Sequence, residues 1–394
     1  MEPNDLKNLL GVFRNLDLPC YVYDTEIIKE KYLSLCNNLP RNFKILYALK
    51  ANPHLELVRF IKNLGTGADI SSAGELNVAL EAGYNDQEIS FAGPGKTEEE
   101  LSLAIDKEII INVESMGELV LIDRLARTLN KIANIAFRIN PENVLRLSGM
   151  RMGGGSKQFG IDEEQLPSFF ERLPELRNVR FRGIHIFAGS QILDHEVLSQ
   201  SFENILKIAI ALRQKYSVDF NVINLGGGFG IPYFKGEQDL DLVRFGLNLK
   251  EMLAKYEIDK LFPNTRFLVE SGRYIVGQGG FYLTKVLYKK VSRDKTYLIT
   301  NGGMNHHLAA SGNLGSVLRK NYNIQILNKL DREPDELVNI AGPLCTPLDI
   351  LATDILLPKA EPGDIICILN SGAYGRTSSP LGFLSHSEPK ETIL

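Results

Sequence analysis

Cysteine is scarce in this 394-residue chain, and the few there are lie scattered. Cys20, Cys36, Cys345 and Cys367 show no CxxC spacing, which argues against both a zinc site and a disulfide framework. Charge excess is missing too. A net charge of −4 gives no electrostatic case for nucleic acid or an anionic membrane as partner. No uninterrupted apolar run is long enough to span a bilayer, and the acidic start, Met1-Glu-Pro-Asn-Asp5, lacks the apolar stretch of a signal peptide. Internal repeats, low-complexity tracts and a G-x-G-x-x-G after the first strand-like run are also absent. These absences leave a cytoplasmic enzyme of ordinary globular composition as the expectation. The chain is longer than the roughly 250–300 residues at which single cores stop growing, so two domains are expected.

What is present is alternation. Short β-like runs occur at Ile45–Lys50, Ala68–Ser71, Ile89–Ala92, Ile109–Val113, Ile135–Ile139, Phe181–Phe187, Val222–Leu225 and Phe267–Val269. Between them lie amphipathic stretches such as Ala73–Ala82, Glu98–Lys107, Met116–Asn130, Glu196–Tyr216 and Leu240–Tyr256. Eight strands separated by helices predict a closed (β/α)8 barrel over residues 26–276, in preference to an open doubly wound sheet. Beyond Gly277 the alternation stops, and Phe281–Tyr288, Tyr297–Thr300, Val338–Ala341, Asp364–Leu369 and Glu391–Leu394 read as strands joined by Gly, Pro and Asn turns. Residues 277–394 are therefore predicted to form an all-β domain, completed by residues 1–25 with their own strand near Tyr21. The Gly- and Met-rich stretch Asn143–Ser156 reads as a long loop near the barrel mouth.

A barrel makes a demand that the sequence can meet or fail: chemistry should gather where strands end. The run Lys44-Ile-Leu-Tyr-Ala-Leu49 ends on Lys50, and Pro53 then opens a predicted helix, His54–Asn63. Desolvating a lysine lowers its pKa and frees the amine for a Schiff base, whereas the bland alternative is a surface lysine at a strand end. Asp69, Ser71, Ser72, Gly93, Glu114, Arg138, Asn140 and Ser190 end other strands. After the seventh come Gly226, Gly227 and Gly228, whose amides would close on an anion as a phosphate nest or would simply turn the chain. After the eighth comes Glu270-Ser-Gly-Arg-Tyr274. Glu270 is either a paired structural acid or the partner of a pyridoxal phosphate ring nitrogen, with Gly272 and Arg273 facing the phosphate.

Taken together, Tyr47-Ala-Leu-Lys-Ala-Asn52, Gly67-Ala-Asp-Ile-Ser-Ser-Ala-Gly-Glu75, Gly226–Gly228, Glu270-Ser-Gly-Arg273, Gly342-Pro-Leu-Cys345 and Gly372-Ala-Tyr374 resemble the fold-type III pyridoxal-phosphate decarboxylases. These are the ornithine, arginine and diaminopimelate decarboxylase relatives. The resemblance implies an alanine-racemase-like barrel with a C-terminal β-domain, pyridoxal 5'-phosphate as cofactor, and a homodimer with shared active sites. It implies that Lys50 carries the cofactor as a Schiff base, and that Asp69 and Glu75 support it. Ser190, Gly226, Gly227, Gly228, Gly272, Arg273 and Tyr374 would surround the phosphate. Cys345, offered by the partner subunit, would reprotonate the substrate's Cα after carbon dioxide leaves a quinonoid.

Two departures from that family carry information. Where the ornithine and diaminopimelate enzymes place an acid after the cysteine, to hold a distal amine, this chain has Thr346. Where they stack a histidine on the cofactor ring, it has Phe187, with His185 two residues earlier. Gly342-Pro-Leu-Cys-Thr-Pro347, Phe383–Pro389, Asn301-Gly-Gly-Met-Asn-His-His307 and Pro232-Tyr-Phe234 are more similar to a natural-product subgroup. That subgroup includes the butirosin-pathway decarboxylase of a glutamyl group on an acyl-carrier protein, and a siderophore-pathway decarboxylase of a citryl conjugate. The substrate implied is an amino acid, free or presented on a carrier protein, with His306, His307, Thr346 and Asp349 as residues for its tail. The rival readings are a diaminopimelate or ornithine/lysine-type decarboxylase, an amino-acid racemase, and a silent cofactor-binding homologue.

Overall fold

The computed structural model describes residues 6, 11–13, 16–142, 150–151, 155–314 and 319–394. The chain divides into two compact units, Lys29–Ile231 with Gln238–Tyr274, and Met1–Ile28 with Pro232–Glu237 and Ile275–Leu394.

The first unit is a closed parallel barrel. Its strands are β1 (Phe43–Ala48), β2 (Gly67–Ile70), β3 (Ile89–Phe91), β4 (Ile110–Val113), β5 (Ala133–Asn140), β6 (Val179–His185), β7 (Val222–Asn224) and β8 (Arg266–Ser271). Each pairs in parallel with its sequence neighbours, and β8 returns to β1 with Val269 opposite Ile45, which closes the ring. All eight strands read from the sequence are present, with ends moved by a few residues. Helices α1 (Leu55–Asn63), α2 (Ala73–Glu81), α3 (Glu98–Asp106), α4 (Met116–Thr128), α5 (Leu166–Arg172), α6 (His195–Tyr216) and α7 (Leu242–Lys255) alternate with the strands.

The local sequence explains where most of these helices start. Ser72, Thr97, Ser115, Asp194 and Asp241 each cap a helix, their side chains accepting from backbone N–H groups of the first turn. Glutamates three residues on reach back to the strand ends: Glu75 accepts from Ser71 N at 2.6 Å, and Glu118 accepts from Glu114 N at 2.7 Å. The caps therefore anchor the βα loops as well as the helices. On the helix side of the barrel wall, Phe137 packs on Phe169, Phe170 and Phe181 with ring centres 4.9–5.5 Å apart. Leu46, Val222 and Leu268 fill the interior.

Two details differ from the sequence reading. β1 ends at Ala48, and Lys50 sits in a 3₁₀ turn, Leu49–Ala51, because pairing with β2 stops at Ala48 opposite Asp69. Pro53 precedes α1 instead of lying in its first turn. Of the stretch Asn143–Ser156, residues 143–149 and 152–154 lie outside the described residues, while Met150–Arg151 pairs antiparallel with Gly189–Ser190.

The second unit is mostly sheet. Strands β9 (Gly280–Ser292), β10 (Lys295–Thr300), β11 (Ile324–Ile326), β12 (Glu336–Ala341), β13 (Ile350–Leu357), β14 (Ile365–Ile368) and β15 (Lys390–Ile393) are joined by Cys20–Tyr23. The order is β11-β14-β9-β10-β12-β13, and Cys20–Tyr23 lies antiparallel to β9 and parallel to β15. Strands β11 and β13 were not expected from the sequence. Nor was the place of Pro232–Glu237, a piece of the loop after β7. Asn370 Nδ2 donates to Pro232 O at 2.7 Å, and Tyr322 packs on Tyr233 and Phe234 at 5.0 and 5.8 Å.

Candidate active site

The C-terminal ends of β1, β2, β6, β7 and β8 bring one set of side chains together. Lys50 Nζ lies 3.3 Å from Asp69 Oδ2 and 5.4 Å from the centre of the Phe187 ring. The lysine is not desolvated as the sequence suggested: its side chain is 39% exposed, while that of Asp69 is wholly buried. The buried partner is the perturbed one. Burial, together with the charges of Glu270 and Glu75, pushes the Asp69 carboxyl up to about 7, outweighing the opposing pull of the Lys50 ammonium. Asp69 Oδ1 has no hydrogen-bond partner. Burial likewise raises Glu75, against the pull of the Ser71 amide.

A raised carboxyl means that the folded state holds the Asp69 proton more tightly than the unfolded chain does. The stability this gives is complete below about 4 and is lost as pH rises through about 7. Asp69→Asn removes that loss. Urea unfolding of the cofactor-free protein should therefore show the variant gaining on the parent between pH 5 and pH 8. A gap that stays constant over this range contradicts the shift.

Glu270, on β8, is 3% exposed. Burial alone would raise its carboxyl, but His185, the Lys50 charge and Asn224 hold it down at about 2. Asn224 Nδ2 donates to Glu270 Oε1 at 2.8 Å. His185 Nε2 lies 3.1 Å from the same oxygen, close enough for charge attraction though too poorly aligned to count as a hydrogen bond. Both neighbours engage Oε1, which leaves Oε2 for a further partner. The sequence reading passed over Asn224. A polar residue two before the glycine run, on the interior-facing parity of an apolar strand, was the available signal.

Gly226 and Gly228 have φ of 64° and 113°, a region that favours glycine. A Cβ at Gly227 would stand 2.1 Å from Glu270 O, and one at Gly226 would stand 2.4 Å from Ile186 O and 3.1 Å from Phe187 Cδ2. At Gly272 it would stand 2.7 Å from Ala51 Cβ, in the turn that carries Lys50. Ile192 N donates to Gly228 O at 2.8 Å, which draws the Ser190 segment alongside the glycine loop. Arg273 starts the short helix Arg273–Val276 that follows β8. The arrangement fits pyridoxal phosphate. It offers a lysine amine, an ionised acid with a free oxygen, an aromatic face, a glycine cradle with no room for side chains, and orphaned buried oxygens at Asp69 and Ser271.

The remaining site residues read from the sequence belong to the second unit. Cys345 is exposed, in the turn between β12 and β13. Tyr374 is half-buried with φ 56°. Thr346 Oγ1 accepts from Leu348 N at 3.3 Å. Asp349 is turned inward: Oδ1 accepts from Met304 N at 2.6 Å and Oδ2 from Leu344 N at 2.8 Å. Its carboxylate clamps the cysteine turn and is not presented to a substrate.

His306 and His307 need the same correction. His306 is 1% exposed, with Tyr282 OH 3.1 Å from Nδ1 and Ser387 O 2.9 Å from Nε2. His307 is fully buried, accepting from Ala310 N at Nδ1 and bonded at Nε2 to Ser371 Oγ at 2.9 Å. Burial drives the His307 imidazole down to about 3, so it is neutral and fully partnered. Neither ring is free to meet a substrate tail.

Comparisons with known proteins agree with this chemistry. The family model described as "Pyridoxal-dependent decarboxylase, pyridoxal binding domain" matches residues 25–277. The chain is 37% identical over 393 residues to the L-glutamyl-[BtrI acyl-carrier protein] decarboxylase of Niallia circulans, covering 99% of this chain and 91% of that protein. It is 33% identical to the diaminopimelate decarboxylase of Bacteroides thetaiotaomicron, covering 92% of each. The solved structure of a diaminopimelate decarboxylase from M. jannaschii aligns with a TM-score of 0.89 at 29% identity, over 98% of this chain and 88% of that one.

Proposed function

The chain belongs to the pyridoxal-dependent decarboxylases, and from that premise we propose that it removes the α-carboxylate of a conjugated amino acid in the cytoplasm, with Lys50, Glu270 and Cys345 in the leading roles. It is a carboxy-lyase that uses pyridoxal 5'-phosphate. When bound, that cofactor supplies a protonated ring that accepts the electron pair left on Cα as carbon dioxide departs.

The protein's own residues do the rest. Lys50 would hold the cofactor through its ε-amine. Asp69, 3.3 Å from Nζ and titrating near neutrality, can take or return the lysine's proton. Gly226–Gly228, with Ser190, Gly272 and Arg273, would bind the phosphate, and Phe187 would cover a ring face. Cys345, from the partner copy of a homodimer, returns a proton to Cα. The observation that carries the reading is Glu270, whose carboxyl is held down at about 2, so that it is ionised at neutral pH, with Oε2 uncommitted. A carboxylate keeps a ring nitrogen protonated and so favours full charge withdrawal, which is what loss of carbon dioxide needs and a racemase avoids.

The conjugated substrate is supported by the cysteine turn. Between Gly342 and Asp349 the sole acid is Asp349, and both of its oxygens are engaged by backbone amides. A free diamino acid would find no carboxylate there for its distal amine, a contact worth roughly 1.5–3 kcal/mol. Thr346→Glu should therefore raise kcat/KM for free ornithine or lysine about ten- to a hundredfold. If the variant gains nothing on either amino acid, the missing acid is not what excludes them.

A further inference from the structure

Asn224 is the last residue of β7 and is 1% exposed. Its amide is committed at both ends: Nδ2 donates to Glu270 Oε1 at 2.8 Å, and Oδ1 accepts from Gly226 N at 2.9 Å. A flipped amide would set oxygen against carboxylate and N–H against N–H, so the orientation is fixed. An aspartate would place a second negative charge on Glu270, and an apolar isostere would lose both bonds. The backbone repeats the tie, with Glu270 N donating to Gly226 O at 2.7 Å and Leu225 N to Leu268 O at 2.9 Å.

The consequence concerns the spacing of two half-sites. A pyridoxal ring is rigid, so a seat for its nitrogen and a seat for its phosphate must be held a set distance apart. Asn224 is bonded to the acid of one and to the first glycine of the other. By taking Oε1, it also leaves the remaining oxygen of Glu270 for the cofactor's ring nitrogen. By taking the Gly226 N–H, it removes that donor from the nest and leaves the phosphate to the amides that follow.

We propose that Asn224 is a positioning residue that couples the ring-nitrogen end of the cofactor seat to its phosphate end. This rests on the proposed roles of Glu270 and Gly226–Gly228. It makes Asn224 necessary for both ends at once, unlike a residue that serves either alone.

The test uses the purified full chain, either parent or carrying Asn224→Leu, Glu270→Gln or both, with two readouts. The first is the ratio of affinities for pyridoxal 5'-phosphate and pyridoxal, which reports the grip on phosphate. The second is the pH midpoint of the bound cofactor's absorbance, which follows the proton on the Lys50-linked nitrogen and shifts with ring charge because the two nitrogens are conjugated. Asn224→Leu should lower the affinity ratio about tenfold and move the absorbance midpoint in the same direction as Glu270→Gln. In the double variant the asparagine change should add nothing to the midpoint yet still lower the ratio. A change in only one readout, or in neither, overturns the coupling, as does simple additivity of the midpoint shifts. A midpoint untouched by Glu270→Gln instead contradicts the reading of the acid itself. Asn224→Ala gives the same comparison should leucine disturb the barrel interior.

Discussion

Replacing Lys50 with alanine should lower decarboxylation about 10⁴-fold or more, the scale on which single members of a catalytic set act. The reason is local. Lys50 is the cation against buried Asp69, over the Phe187 face and in the turn packed on Gly272. No other described lysine or arginine forms an ion pair with that carboxylate. The fold should survive, because the side chain is 39% exposed and fills no core. Cofactor titration followed by borohydride reduction checks the claim: the parent should retain reduced cofactor covalently, and the variant should not. A variant that keeps activity within tenfold of the parent would move the chemistry to another amine.

The second large effect is expected at Cys345. Removing a positioned general acid costs about 10²–10⁴-fold in rate, and Cys345→Ala should fall in that range with cofactor binding unchanged. Its exposure in the single chain suits a thiol that completes a site with a second copy. Mixing Lys50→Ala and Cys345→Ala chains under exchanging conditions tests this. In the proposed homodimer half of the pairs are then mixed and each regains one intact site, so activity should recover to about a quarter of the parent's. No recovery would mean that lysine and cysteine act from the same chain, and a Cys345→Ala chain as active as the parent would mean that the cysteine is dispensable.

How much of this was legible in the sequence depends on which interactions carry each feature. The barrel strands were readable because they are buried on both faces and therefore appear as apolar runs, and the helices because they appear between them as amphipathic stretches, while the caps Ser72, Thr97, Ser115, Asp194 and Asp241 went unread. Lys50, Glu270 and the glycine run were readable because polar and glycine residues are poor choices for packing at the end of a buried strand. The exact end of β1 was not, since the apolar run continues through Leu49 while ladder pairing stops at Ala48. His306 and His307 misled for a related reason. Their partners, Tyr282, Ser387, Ser371 and Ala310, are brought to them by folding, and no local pattern announces a satisfied core imidazole. Strand β13 carries Asp354 at φ 46° in its middle, which breaks the alternation that would have revealed it. Pro232–Glu237 joins the second unit through Asn370 and Tyr322, contacts that span about a hundred residues and leave no trace in composition.

The central claim is that this decarboxylase acts on a conjugate and not on a free diamino acid. Carbon dioxide release by the pyridoxal-phosphate-loaded protein tests it most directly, with an acyl-carrier-bound glutamyl group and a citryl-conjugated amino acid offered beside free diaminopimelate, ornithine, lysine, arginine and glutamate. The account predicts turnover of a conjugate and little from any free amino acid. Rapid release from free diaminopimelate or ornithine would contradict it.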